Sequence, residues 1–141
     1  MAEPDIQQRG LAGEYYVAFI LSRLGYNIGI TIGRAKVFDM MARGTGGSTI
    51  NIQVKSTYLG YDWLVGRFDS SRESVVALVR LGKDATQEPE LYFLPGKRAN
   101  ELITHKYENH SPRISRSDVL KEFKDHDFRL IKRLLEKKSL G

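Results

Sequence analysis

The chain has 141 residues, which points to a single compact domain over 1–141, long enough to bury a core without staples. It has no cysteine, which excludes disulfide frameworks, cysteine-ligated zinc and thiol nucleophiles. A hydrophobic content of 41% beside 28% charged residues is that of a folded protein, not a disordered one. The longest apolar run, Tyr15 to Leu21, is too short to cross a bilayer, and the start lacks the basic-then-apolar order of a secretion signal. A soluble cytoplasmic protein with no membrane partner is therefore expected.

The net charge of +5 is unevenly placed. Residues 1–95 carry ten Lys/Arg and ten Asp/Glu, whereas residues 96–141 carry twelve against seven. A basic last third beside a neutral body suggests a surface that faces a polyanion, although a solvated helical tail rich in lysine gives the same count.

In chain order, the first element reads as a helix from about Ile6 to Leu24, closed by Gly25. Its middle is apolar nearly all round, so burial on more than one side is expected, against a sheet or a second subunit. Tyr26 to Ile32 alternates as a strand. Two further strand-like runs, Lys36 to Ala42 and Thr49 to Ser56, flank the glycine-rich Gly44 to Ser48 and form a β-hairpin. Residues 58–73 read as an aromatic-rich connection holding at most a short strand. Ser74 to Leu81 is nearly continuously apolar, as in a central strand covered on both faces. A short strand at Leu91 to Leu94 ends at Pro95-Gly96. Helices are expected over Arg98 to Lys106, Ser117 to Phe123 and Asp127 to Lys138, with a basic loop over His110 to Arg116. The order predicts an α/β or α+β domain of helices on a mixed sheet, with a basic helical C-terminal third over 96–141.

The chemistry centres on the hairpin. Asp39 and Gln53 each lie seven residues from Gly46, so a turn centred there sets them opposite one another, with Cβ atoms roughly 5 Å apart. Lys55 is two residues beyond Gln53 and on the same face. Glu14 shares a helical stripe with Leu11, Ala18 and Leu21, and an unpartnered acid there costs several kcal/mol, on the order of a lost buried hydrogen bond or more. Gly10 and Gly13 on the preceding turn allow a close approach to another backbone, which would carry Glu14 to the hairpin edge. Two carboxylates, the Gln53 amide oxygen and the Val54 carbonyl suit a hard divalent cation. A lysine beside such an ion can orient water or offset charge on a phosphorane-like transition state.

Glu14 on a helix, Asp39 on a strand and Gln53-Val54-Lys55 on the next resemble the PD-(D/E)XK phosphodiesterase superfamily over about residues 9–57. Gly13-Glu14 and Lys55-Ser56-Thr57 look most like its resolvase branch. The resemblance implies a restriction-endonuclease-like mixed sheet of four to five strands flanked by helices. It also implies a metal-dependent DNA endonuclease, with Glu14 and Asp39 as metal ligands and Lys55 as the catalytic lysine. Gln53 then stands in the second acidic position, the Val54 carbonyl completes the ligand set, and Mg²⁺ (or Mn²⁺) is the cofactor. Two departures stand out: Phe38 precedes Asp39 in place of proline, and Gln53 removes one negative charge. A Gln-X-Lys variant is familiar in an intron-encoded homing-endonuclease branch.

The basic residues expected to contact DNA, duplex or branched, are Arg98, Arg113, Arg116, Arg129, Lys132 and Arg133. Tyr58, Tyr61 and Trp63, just after the lysine, stack on bases or pack at the flank of the sheet. Duplex cleavage needs a second site, so a homodimer is expected through the apolar girdle of the first or last helix. The competing readings are an inactive nuclease-fold nucleic-acid-binding module and a protein-interaction or regulatory factor.

Overall fold

The computed structural model describes residues 3–32, 37–104 and 111–136. The first helix, α1 (Ile6–Arg23), begins with a reciprocal cap: the Asp5 carboxylate accepts the Gln8 N–H at 2.8 Å while the Gln8 side chain accepts the Asp5 N–H at 2.9 Å. It stops where expected, with Gly25 at a φ of 93° that L side chains avoid. Gly13, Val17 and Leu21 form its buried stripe. Leu11, Tyr15 and Phe19 are offset from that stripe by two residues, about 200° around the axis, and lie exposed. Tyr16, Ala18 and Ile20 are partly buried against the same core, while Tyr15 and Phe19 are each 58% exposed.

Five strands build a mixed sheet: β1 (Asn27–Ile30), β2 (Met40–Arg43), β3 (Thr49–Tyr58), β5 (Ser74–Leu81) and β6 (Glu90–Pro95), in the order β1-β2-β3-β5-β6. All neighbours are antiparallel except β3 and β5, which run parallel. A separate two-stranded piece pairs β4 (Trp63–Leu64) with β7 (Arg113–Ile114). Helices α2 (Gly96–Leu102), α3 (Arg116–Leu120) and α4 (Arg129–Leu135) complete the α+β fold.

Strand alternation sorts the core into two layers. Ile50, Ile52, Val54, Val75, Ala77 and Val79 pack on one face against Val17 and Leu21 of α1 and Ile131 and Leu135 of α4. Val76, Leu78, Tyr92 and Leu94 pack on the other against Trp63, Ala99, Leu102, Ile114 and Val119. Strand β5 is covered on both faces, as its continuous apolar run predicts.

Several boundaries differ from expectation. The hairpin's first arm starts as a strand only at Met40, and Lys36 lies outside the described residues. The helix expected to reach Lys106 ends at Leu102, because Ile103 turns extended and Thr104 bridges to Arg113. That pairing also converts part of the expected basic loop into β7. The last helix begins at Arg129 instead of Asp127. His105, His110 and Lys138 lie outside the described residues. No described helix is long and apolar enough to cross a membrane.

Candidate active site

The hairpin register matches the turn symmetry: Met40 pairs with Ile52 and Arg43 with Thr49. The Gly44 N–H closes the turn on the Ser48 carbonyl at 2.9 Å. One step beyond Met40, Asp39 comes opposite Gln53. Its N–H donates to the Ile52 carbonyl at 2.9 Å, and its Oδ2 accepts the Val54 N–H at 2.6 Å. The carboxylate thus takes the ladder position that a backbone carbonyl would hold. In a strand the N–H and C=O of one residue face the same neighbour, so the Val54 carbonyl opens on the Asp39 side of β3.

Gln53 and Lys55 lie half-buried on the face of β3 opposite Ile52 and Val54, in register with Val76 and Leu78 of β5. The Gln53 Oε1 accepts the Asp69 N–H at 3.1 Å. Among the described residues Lys55 makes no ion pair, so a simple Asp39–Lys55 surface pair does not account for the two residues. A cleft of about 600 Å³ opens at the C-terminal half of β3, lined by Lys55, Arg9, Tyr61 and Arg113 among others. A larger cleft of about 800 Å³, between α1 and residues 82–89, includes none of Glu14, Asp39, Gln53 and Lys55.

Glu14 is half-buried on α1, one residue after the point where the helix crosses β3. A Cβ at Gly13 would lie 1.8 Å from Ser56 Oγ and 3.6 Å from Val54 Cγ1, so with Ser56 in its present position the glycine lets the helix cross this closely. Gly10 has open space around it and does not share the role. Helix α1 packs on the Ile52 and Val54 face of β3, whereas Gln53 and Lys55 lie on the opposite face, so the fold brings the Glu14 helix to the strand but not to the face that carries those two side chains.

The expected phosphate contacts do not form one surface. Arg98, Arg113 and Arg116 belong to elements on the α2–α3 side of the sheet, whereas Arg129, Lys132 and Arg133 ride on α4 at the other face. Three of them are engaged by carboxylates: Arg98 by Glu122 and Glu101, Arg116 by Glu90 at 2.8 Å, and Arg129 by Asp127 at 2.6 Å. Lys132 and Arg133 make no ion pair among the described residues.

Asp69 is the residue the sequence did not reveal. Its backbone holds the Gln53 amide, and its carboxylate accepts the hydroxyls of Ser71 and Ser74, which hold it below the usual carboxylate range. No spacing signal links it to residue 53, since the contact crosses an irregular segment.

The Asp39 carboxylate, the Gln53 amide oxygen and the Val54 carbonyl are donors of the type a hard cation takes. Only Asp39 among these three is an acid, and the described residues hold no group of three His, Cys, Asp or Glu side chains that could hold a metal ion. No family model matches the chain, and no curated protein matches it. Among solved structures it is similar to the bacterial homing endonuclease I-Ssp6803I, with a TM-score of 0.53 and 15% identity over 79% of this chain and 75% of that one. The chain has a nuclease-like fold: a five-stranded mixed sheet flanked by helices.

Proposed function

We propose that the protein is a metal-dependent DNA endonuclease that hydrolyses phosphodiester bonds. The observation that carries this reading is the Asp39 carboxylate seated on the Val54 N–H, one position before Lys55, which makes no ion pair among the described residues. Its similarity in fold to a homing endonuclease supports the same reading. Asp39, Glu14, Gln53 and the Val54 carbonyl would hold Mg²⁺ or Mn²⁺, which when bound supplies Lewis-acid polarisation of the phosphoryl oxygens. Asp39 is held in place by its hydrogen bond, so little ordering is needed when a ligand arrives. The Lys55 ammonium would orient the attacking water and offset charge that develops on the phosphoryl oxygens.

Cleavage of both duplex strands needs two such sites, and the exposed Leu11, Tyr15 and Phe19 stripe of α1 is the proposed contact between two copies, in the cytoplasm. On α4 the apolar stripe is already used by the core. Lys132 and Arg133, whose charges no described carboxylate neutralises, are the stronger phosphate contacts on that helix.

A second reading, a nucleic-acid-binding module without turnover, is favoured by Gln53, whose amide oxygen already accepts the Asp69 N–H. Calorimetric titration with Mn²⁺ separates the two. The enzyme reading expects binding that Asp39→Asn abolishes; absence of heat with the wild type favours the second reading.

A further inference from the structure

Three aromatic residues follow Lys55 closely, and the structure treats them differently. Trp63 is fully buried, with its indole N–H on the Val79 carbonyl at 2.9 Å, and Tyr58 is 6% exposed. Tyr61 is 69% exposed and lines the cleft of about 600 Å³ that also takes in Lys55. A burial requirement therefore explains two of these rings and leaves the third unexplained.

The backbone that presents Tyr61 is held with care. Its N–H closes a turn on the Tyr58 carbonyl at 3.4 Å, and the Thr57 hydroxyl lies 3.2 Å from both the Tyr61 and the Asp62 carbonyls. Leu59, within that turn, has a φ of 57°, a left-handed conformation that costs a residue with a Cβ roughly 1–2 kcal/mol. Its N–H is tied to the Leu81 carbonyl at 2.9 Å. Strain of this kind persists where neighbours impose it, and it tends to gather at binding sites.

The walls of the cleft are of two kinds. Arg9, Lys55 and Arg113 supply three cations against the single carboxylate of Asp62. The Arg9 guanidinium lies 4.8 Å from the centre of the Tyr58 ring, and its Nε donates to the Pro4 carbonyl at 2.9 Å, so its charge is fixed at the rim. Ile6 and Leu64, both exposed, add apolar surface. Cations alone suffice for a duplex backbone, whose bases are stacked on both faces. An exposed ring among them adds a flat face on which an unpaired base can stack.

We propose that this cleft takes an unpaired nucleotide, with its base stacked on Tyr61 and its phosphates held by Arg9, Lys55 and Arg113. The favoured substrate is then DNA with single-stranded character beside the scissile bond, such as a flap, a frayed end or a branch. This inference rests on the nuclease reading of the same site, because it shares Lys55.

The test is fluorescence anisotropy in EDTA, with the full chain and two labelled DNAs of equal length, one a blunt duplex and one a duplex with a single-stranded overhang. The wild type is expected to bind the overhang DNA at least fivefold tighter. Tyr61→Ala is expected to remove that preference, a loss of about five- to hundredfold for one base stacked on an aromatic ring. Tyr61→Phe, which keeps the ring, is expected to retain it. Equal affinity for the two DNAs, a preference that survives Tyr61→Ala, or no binding to either DNA would each overturn the inference. Because EDTA removes turnover, the assay is independent of cleavage. A preference without cleavage in Mg²⁺ would sink the nuclease reading alone, and cleavage without a preference would sink this inference alone.

Discussion

Asp39 and Val54 are joined by a 2.6 Å hydrogen bond from the strand N–H to a carboxylate oxygen, at the point where the β2–β3 ladder would otherwise close with a backbone carbonyl. The acid is thus part of the sheet as well as the proposed site, and its two duties can be separated by mutation. Asp39→Asn keeps an oxygen for the Val54 N–H but removes the charge. It is expected to melt within a few degrees of wild type and to lose cleavage by roughly a hundredfold or more. Asp39→Ala also strands the Val54 N–H, costing about 1–3 kcal/mol, which is a fall in melting temperature of several degrees. Thermal melts beside nicking rates check both.

Gln53 offers the opposite experiment. A carboxylate at 53 can still accept the Asp69 N–H, so Gln53→Glu preserves the contact that positions residues 68–74 while adding negative charge among the oxygen donors. Divalent-cation affinity is expected to rise about tenfold by calorimetry, since ligand charge tunes such sites. Unchanged affinity would place the ion elsewhere.

The crossing of α1 over β3 depends on Gly13. Gly13→Ala places a methyl 1.8 Å from Ser56 Oγ and 3.1 Å from Ser56 Cβ. Such overpacking is expected to destabilise by about 1–3 kcal/mol. Ser56 Oγ is buried without a hydrogen-bond partner among the described residues, so Ser56→Ala alone is expected to be neutral or stabilising and to rescue Gly13→Ala in part. Denaturant titration of the two single variants and the double variant measures the coupling.

Acid stability has a definite source at Glu90. Burial raises its carboxyl, but hydrogen bonds from Tyr92, Arg116 and Arg80 outweigh this and hold it below its ordinary value of 4.5. A depressed folded value means the stabilisation is fully present above that ordinary value and is lost as pH falls through the folded one. Stability is therefore expected to decline below about pH 4.5, and Glu90→Gln to flatten that decline while lowering stability at pH 7 by about 2 kcal/mol. Melting curves between pH 3 and about pH 7 read the difference.

Much of this fold was legible because local signals agreed with tertiary ones. Gly25 stops α1, the symmetric spacing about Gly46 gives the hairpin register, and the apolar run at 74–81 gives the central strand. What escaped depends on contacts distant in sequence. β7 exists because Trp63 and Leu64 pair with Ile114 and Arg113, and two residues carry no period of their own. Asp69 reaches Gln53 through a backbone N–H, which any residue type supplies. The basic third looked like one patch because the sequence hides that α4 and the α2–α3 pair lie on opposite faces of the sheet. Carboxylates as near as Asp127 and as far as Glu90 then engage half of the arginines and lysines expected to face DNA.

The most direct measurement is cleavage of supercoiled, single-stranded and branched DNA by the purified protein in Mg²⁺ or Mn²⁺. Nicking by the wild type is expected, stopped by EDTA and lost in both Asp39→Asn and Lys55→Ala. Wild-type protein that binds these DNAs and cuts none of them, or a Lys55→Ala variant that cuts as fast as wild type, would contradict it.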